Sequence, residues 1–169
     1  MTGLPPLISS QTRLLILGSF PGVASLQAQQ YYSHPQNQFW RVLSAILGEM
    51  YGSSSINTGV SSYQIRSEWL LSKKLGVWDV YASCQREGSL DSNIRQAVLN
   101  DFSTLRTLCP NLQAIAHNGG ESFKHAKHTK NLGFPVFKLP STSPANASWS
   151  FERKVAAWQD VFKKSGLNG

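Results

Sequence analysis

The chain has 169 residues and a net charge of +7, and 41% of its residues are hydrophobic while 15% are charged. This length suits one domain with a sizeable core, and the composition excludes a disordered chain. No apolar run approaches the roughly 18 residues that cross a bilayer, and no basic flank marks a signal peptide. We therefore expect a single cytoplasmic domain over residues 1–169, with no membrane contact.

The positive charge is concentrated near the end of the chain. Residues 121–169 carry eight Lys and Arg against three Asp and Glu, whereas residues 1–120 carry eight against six. A basic surface attracts polyanions, and phosphate contacts make binding weaken steeply with salt. Charge alone does not separate a nucleic-acid-binding protein from a merely basic one, so a pocket is needed as a second argument.

The cysteines and histidines predict no metal site. Cys84 and Cys109 do not form a Cys-x-x-Cys pair, which argues against zinc or iron–sulfur ligation, and we expect two reduced, buried thiols. The four histidines form no recognisable ligand set: His34, His117, His125 and His128. We predict neither a metal nor an organic cofactor.

The first half of the chain predicts a buried strand followed by two helices. Residues 14–17 (LLIL) form a short apolar run before Gly18, which is typical of a strand buried on both faces of a parallel sheet. A helix is predicted over 35–47, with Pro35 at its first position and an apolar face. Residues 51–61 predict a loop, and a second helix around Ile65 and Trp69 is expected to end at a C-cap, Gly76.

The second half predicts three more strands, at 77–81, 112–116 and 135–139. Between them, helices are expected from 94 to 108, where Pro110 stops an amphipathic stripe, and near 121–130. A last helix is predicted over 150–164. Strands that alternate with helices indicate a parallel sheet covered on both faces by right-handed crossovers.

Four loops follow the predicted strands and hold most of the unusual polar residues. They are residues 18–34, 82–91, 117–120 and 140–148. In open parallel sheets, ligands bind outside the carboxyl ends of the strands. We therefore predict one ligand site built from these four loops.

The first of these loops begins with residues 18–22 (GSFPG). This segment lacks both the Gly-x-Gly-x-x-Gly dinucleotide pattern and the Gly-x-Ser-x-Gly nucleophile pattern. Its glycines permit close approach of backbone amides to a ligand, although an ordinary turn after a strand has the same composition.

Residues 31–40 (YYSHPQNQFW) supply candidate side chains for a flat polar ring. A tyrosine in this loop either stacks on a base, worth roughly 1–3 kcal/mol, or packs in the core. Asn37 lies in the first turn of its predicted helix. It either caps that helix, or it holds a water or a departing base near the positive end of the helix dipole.

Residues 139–146 (LPSTSPAN) form a hydroxyl-rich loop that two prolines stiffen. Ser and Thr donors on a stiff loop suit phosphate contacts, although a simple surface turn is equally compatible.

Together with residues 78–81 (WDVY) and 86–92 (REGSLDS), these blocks resemble the uracil-DNA glycosylase superfamily. They are most similar to its hypoxanthine-DNA glycosylase branch, often called family 6. The resemblance covers most of the chain and implies a three-layer α/β/α sandwich with a central four-stranded parallel sheet.

The resemblance also implies roles for individual residues. The catalytic amide of the hypoxanthine branch matches Asn37, and Tyr32 falls where a stacking aromatic is expected. Better-known branches carry a water-activating Asp or Asn at the position of Phe20, and a Tyr that excludes large bases at the position of Gly22. They also carry a His that stabilises the leaving base at the position of Leu139, so that donor must come from elsewhere, with backbone N–H groups as one candidate.

The expected activity is a monofunctional DNA glycosylase that removes hypoxanthine first and uracil second, from double- or single-stranded damaged DNA. We expect a monomer in which main-chain groups of Ser19 and Phe20 contact the flipped base. The residues predicted to contact DNA are Ser141, Thr142, Ser143 and Asn146. Two alternatives stay open: a lesion-binding module of the same fold that does not cut, and a hydrolase of free nucleosides.

Overall fold

The computed structural model describes residues 1–48 and 61–167. Its central sheet contains four parallel strands, β1 (Leu14–Gly18), β2 (Leu75–Asp79), β5 (Ala114–Asn118) and β6 (Val136–Leu139), in the spatial order β2-β1-β5-β6. A separate antiparallel pair is formed by β3 (Tyr81–Gln85) and β4 (Arg95–Leu99). The four-stranded parallel sheet confirms the predicted fold class.

Helices cover both faces of the parallel sheet. In chain order they are α1 (Val23–Ala28), α2 (Phe39–Leu47), α3 (Ser62–Ser72), α4 (Leu105–Leu108), α5 (Gly120–Phe123), α6 (Ala126–Lys130) and α7 (Phe151–Lys164). One apolar cluster joins the sheet to α2, α3 and α7, and a second lies on the opposite face with α4. A short 3₁₀ turn covers Asp91–Asn93.

The residues of β1 show why its sequence is continuously apolar. Leu14 and Ile16 belong to one cluster, Leu15 and Leu17 belong to the other, and all four are fully buried. Because successive side chains of a strand point to opposite faces, a strand between two helical layers needs apolar residues at every position.

The predicted helix cap at Gly76 is wrong. The third helix ends at Ser72, the left-handed residue after it is Lys74 (φ 64°), and Gly76 lies inside β2. A Cβ at Gly76 would lie 2.8 Å from Ile8 Cγ2 and 2.9 Å from Thr12 Cγ2. Glycine is required there because the N-terminal segment runs along β2, where Leu7 pairs with Val77 and covers that edge of the sheet.

The predicted helix over 94–108 is also wrong, because the region contains β4 and the short helix α4. The apolar spacing imitates a helix, but Val98 is 58% exposed, so no continuous buried face exists. Asn100 and Asp101 interrupt the stretch with residues that disfavour helix interiors. The edge of β3 supplies backbone partners instead, and the Asn100 N–H donates to the carbonyl of Val80 at 2.8 Å.

Other boundaries differ by a few residues. The helix predicted from Pro35 begins at Phe39, the strand predicted over 112–116 covers 114–118, and the helix near 121–130 is divided into α5 and α6. Both α1 and β3 were not predicted. Most of the loop predicted over 51–61 lies outside the described residues. The last helix begins one residue later than predicted, because Ser150 caps it by accepting from the Arg153 N–H.

Candidate active site

A cavity of about 1050 Å³ opens at the carboxyl ends of the parallel strands. It lies beside β1, whose neighbours β2 and β5 follow it in the chain on opposite sides, which is where such sheets bind ligands. All four predicted loops contribute residues to its wall. The structure also places every predicted site residue in the lining: Ser19, Phe20, Gly22, Tyr32, Asn37, Ser141, Thr142, Ser143 and Asn146.

The two polar atoms of the Asn37 carboxamide differ in their hydrogen bonding. Its Oδ1 accepts a hydrogen bond from the Phe39 N–H at 2.9 Å and so satisfies an amide at the start of α2. Its Nδ2 has no hydrogen-bond partner among the described residues. Asn37 was predicted in the first turn of its helix, but it lies outside α2, one residue before the N-cap Gln38. It still bonds the backbone at the helix start, and its unbonded Nδ2 donor belongs to a half-buried side chain that lines the cavity.

The ring of Tyr32 is held on one side and at its tip. It stacks on Phe39 with centroids 4.0 Å apart and planes 17° apart, and its Oη accepts from Asn118 Nδ2 at 3.1 Å. Burial raises the pKa of Tyr32, and nearby Asp79 raises it further, so the hydroxyl stays neutral. Only the second face of the ring is left for a ligand, and that ring is rigidly placed.

Asn118, at the end of β5, was not predicted as a site residue. Its Nδ2 donates to Tyr32 Oη and also to Thr142 Oγ1 at 3.0 Å, while its Oδ1 accepts from the Thr142 N–H at 3.1 Å. The sequence feature that could have identified Asn118 is its position at the carboxyl end of a buried strand. Thr142 is fully buried and its hydroxyl is already bonded, which removes that hydroxyl from any surface that DNA could contact.

The rest of the loop after β6 is tied down from both sides. The Gln38 N–H donates to the Thr142 carbonyl at 3.0 Å, and Trp158 Nε1 donates to the Pro140 carbonyl at 3.0 Å. Within the loop, Asn146 Nδ2 donates to the Ser141 carbonyl at 3.1 Å. The predicted DNA-contacting loop is thus rigid, and part of Asn146 is used to close it.

The turn at 18–22 exposes backbone donors. The hydroxyl of Ser19 donates to Asp91 Oδ1 at 2.7 Å, and its carbonyl accepts from the Tyr81 N–H. The N–H groups of Ser19, Phe20 and Gly22 have no partner among the described residues. The predicted main-chain contacts of Ser19 and Phe20 can therefore be made through these unbonded amides, whereas the Phe20 side chain is buried.

The turn is held from outside by Arg86 and Ser89. The Arg86 guanidinium lies over the Phe20 ring at 5.3 Å and donates through Nη2 to the Pro21 carbonyl at 2.6 Å. A Cβ at Gly22 would lie 3.3 Å from Ser89 Oγ. A side chain at position 22 would therefore meet the loop after β3, and glycine lets that loop close over the turn.

A buried carboxyl group, Asp79, lies at the carboxyl end of β2 and lines the same cavity. Burial, and to a lesser extent the neighbouring Asp91, raise the pKa of Asp79 to about 7, with Arg86 opposing the shift. Asp79 lies in the WDVY block of residues 78–81, and the resemblance implied no role for it.

The buried imidazole of His117 serves the scaffold. Burial lowers the pKa of His117 to about 4, and its ring nitrogens lie 2.8 Å from Ser122 Oγ and 2.9 Å from Thr129 Oγ1, which join β5 to α5 and α6. Cys84 and Cys109 are free and buried, as expected.

Within residues 1–48 and 61–167, no three His, Cys, Asp or Glu side chains are grouped as a metal site would require. The same ranges contain no helix with the length and apolarity needed to span a membrane.

The layered parallel sheet with a polar cavity at its carboxyl edge is the architecture expected for a uracil-DNA glycosylase. The model of the uracil DNA glycosylase superfamily matches residues 5–162, and the chain belongs to this superfamily. This confirms the resemblance stated from the sequence blocks.

Curated relatives and a solved structure are similar to this chain over nearly its whole length. A hypoxanthine DNA glycosylase of Methanosarcina barkeri is 40% identical over 162 residues, covering 96% of this chain and 98% of the relative. A hypoxanthine DNA glycosylase of Methanosarcina acetivorans is 35% identical over 161 residues, covering 95% and 97%. The solution NMR structure of a candidate uracil DNA glycosylase from M. acetivorans has a TM-score of 0.82 and 34% identity, with 98% of both chains covered.

Proposed function

We propose that this protein is a monofunctional DNA glycosylase that hydrolyses the N-glycosidic bond of deaminated bases in DNA, hypoxanthine first and uracil second, and leaves an abasic site. The observation that carries the proposal is the juxtaposition of the Asn37 amide with the free N–H groups of the 18–22 turn in one cavity. Relatives at 35–40% identity over nearly the whole chain support hypoxanthine as the preferred base.

The proposed reaction takes place on a flipped nucleotide. Leaving the stack costs a few kcal/mol, and least where pairing is already weak. The second face of Tyr32 stacks on the base, and the N–H groups of Ser19 and Phe20 contact its edge. As the bond to the sugar breaks towards an oxocarbenium-like state, Asn37 Nδ2 holds the attacking water or the negative charge on the base.

The surface around the cavity supports contact with the DNA backbone. Lys138 lies exposed in the cavity wall, and Ser141, Ser143 and Asn146 follow on the rigid loop. Lys124, Lys127 and Lys130 are exposed on the neighbouring segment. Cations and hydroxyl donors of this kind position a duplex without reading its sequence. We expect the protein to act as a cytoplasmic monomer.

Base release from defined duplexes tests the proposal. The protein is incubated with duplexes that carry one deoxyinosine, one deoxyuridine or no lesion, and abasic sites are revealed as alkali-induced breaks. We expect breaks at deoxyinosine, fewer at deoxyuridine, none in the undamaged duplex, and none in any duplex without alkali. Absence of abasic product on both lesions would defeat the enzymatic proposal.

A non-catalytic lesion-binding module is the second candidate. The observation that favours it is Phe20, whose buried ring offers no water-activating group at the position where better-known branches carry Asp or Asn. The same duplexes separate the two candidates. Tighter binding to the lesion than to undamaged DNA, with no base released, would identify the module.

A further inference from the structure

The cavity contains a buried carboxyl group that the roles proposed above do not use. Asp79 ends β2, is 4% exposed and lines the cavity. Neither of its carboxyl oxygens has a hydrogen-bond partner within the described residues, and Oδ2 is fully buried. A buried polar group without a partner is costly, so this carboxyl group requires either a proton or a ligand.

The backbone of β1 brings this group to the floor of the cavity. A Cβ at Gly18 would lie 2.5 Å from Asp79 Oδ1 and 3.0 Å from Tyr32 Oη. Only glycine therefore lets the carboxyl and the tyrosine hydroxyl approach the start of the 18–22 turn together. Any base that is stacked on Tyr32 and contacted by that turn lies next to Asp79.

The charged surroundings favour the neutral acid. Asp91, from the 3₁₀ turn, raises the Asp79 pKa beyond the effect of burial, and Arg86, from the segment after β3, opposes this. Arg86 donates instead to the carbonyls of Pro21 and Gly88, and it forms no ion pair with Asp79. The remaining titratable neighbours, Tyr31 and Tyr32, are uncharged because burial raises the pKa of both.

We propose that Asp79, as a neutral carboxylic acid, donates its proton to the departing base and thereby supplies the leaving-group donor that Leu139 cannot. This inference rests on the proposed glycosylase function. Leu139 stands where better-known branches of the superfamily carry a histidine, and it is fully buried in the core. An ionised carboxylate at Asp79 would instead oppose the negative charge that develops on the base.

The proposed step balances as a simple hydrolysis. The bond between C1′ of the sugar and the ring nitrogen of the base breaks, and its electron pair stays on the base. The base takes the carboxyl proton of Asp79. Water adds to C1′ and gives its proton to the solvent, and Asp79 regains a proton from the solvent when the base leaves. No oxidant, reductant or cofactor takes part.

Single-turnover rates on the deoxyinosine duplex between pH 5 and pH 9 test this role in the wild type, Asp79→Asn and Asp79→Ala. We expect the wild-type rate to fall about tenfold per pH unit above the pKa, which lies at about 7. At pH 6 we expect Asp79→Ala to be at least ~100-fold slower, with Asp79→Asn intermediate because its amide still donates a hydrogen bond. Neither variant should show the decline above pH 7.

Controls keep this test separate from the test of the glycosylase itself. Asp160→Asn removes an exposed carboxylate on α7 that pairs with Lys164, and it should leave both the rate and its pH profile unchanged. Thermal melting establishes that the Asp79 variants fold. An Asp79→Ala rate within threefold of an active wild type, or an unchanged decline above pH 7 in both variants, would overturn the role of Asp79 alone. A wild type that releases no base overturns the proposed function instead.

Discussion

At the scale of single residues, the Oδ1 of Asn37 stabilises the start of α2, and its Nδ2 is available to a ligand. Replacing it by alanine removes both the Oδ1 bond to the Phe39 N–H and the Nδ2 donor. We expect base release from deoxyinosine to fall by at least ~100-fold, with affinity for the duplex nearly intact, because one preorganised donor contributes about that much. Single-turnover rates and fluorescence anisotropy measure the two quantities. The free energy of unfolding should fall by about 1 kcal/mol through the lost bond to the Phe39 N–H.

Asn37→Ser provides the matched control for this prediction. A serine hydroxyl can still accept from the backbone at the start of α2 but offers no amide. It should restore most of the stability and leave the rate as low as that of Asn37→Ala. A rate close to the wild type in either variant would mean that residue 37 only bonds the backbone at the start of α2.

Asp79 predicts a pH dependence of stability that can be measured without DNA. Its folded-state pKa of about 7 lies above the unfolded value, so the folded protein binds the extra proton and its free energy of unfolding falls as pH rises from about 4 to about 7. Asp79→Asn removes this loss. We expect the variant to be more stable than the wild type at pH 8, by an amount of order 4 kcal/mol, and the difference to vanish at pH 4. Urea denaturation at several pH values measures it; parallel profiles would contradict the expectation.

At the scale of secondary-structure elements, the end of β5 joins two other segments. Asn118 connects the Tyr32 hydroxyl with the backbone and the hydroxyl of Thr142. Asn118→Ala removes three hydrogen bonds in a buried place, and we expect it to lower the free energy of unfolding by about 2–3 kcal/mol. Base release should fall as well, because the Tyr32 ring is no longer fixed. Urea denaturation and single-turnover rates measure the two effects.

Thr142→Val is the control for the network. It keeps the shape of the side chain and the bond from the Thr142 N–H to Asn118 Oδ1, and it removes only the hydroxyl. We expect its free energy of unfolding to fall by only about 1 kcal/mol. Base release by Asn118→Ala at the rate of Thr142→Val would show that the position of Tyr32 does not depend on Asn118.

At the scale of the whole molecule, the basic surface predicts salt-dependent binding. Lys138 is exposed in the cavity wall, and Lys138→Gln should weaken duplex binding at all sequences and lower the slope of log affinity against log salt by about 1. Lys164→Gln removes an equal charge that pairs with Asp160 outside the cavity wall, so its slope should match the wild type. Titrations at several salt concentrations decide between them, and equal slopes for both variants would exclude Lys138 from the interface.

The same measurement separates the glycosylase from a hydrolase of free nucleosides. Activity on the duplex should fall steeply with rising salt, because counterions compete for the phosphate contacts. Free deoxyinosine carries no phosphate. Turnover of the free nucleoside that equals or exceeds turnover on the duplex would favour the hydrolase.

The sequence predicted those elements whose environment is uniform along their length. A strand buried on both faces needs apolar residues throughout, so β1 was visible as LLIL. The exposed β4 has no such pattern, and its strand conformation depends on the neighbouring edge of β3. The role of Gly76 could not be predicted from the local sequence either, because it follows from the packing of Ile8 and Thr12 and not from α3.

By itself, the sequence determined the parallel sheet, the family and the four loops that meet at the cavity, because apolar runs and short motifs are local properties of the chain. Only the tertiary structure decided whether each polar group is buried and whether it is hydrogen-bonded. The burial of Thr142 and the unpaired carboxyl of Asp79 depend on neighbours that are distant in sequence. A side chain that lines a ligand cavity is chemically available only when those neighbours leave an atom of it unbonded, and only the assembled fold fixes which atoms those are.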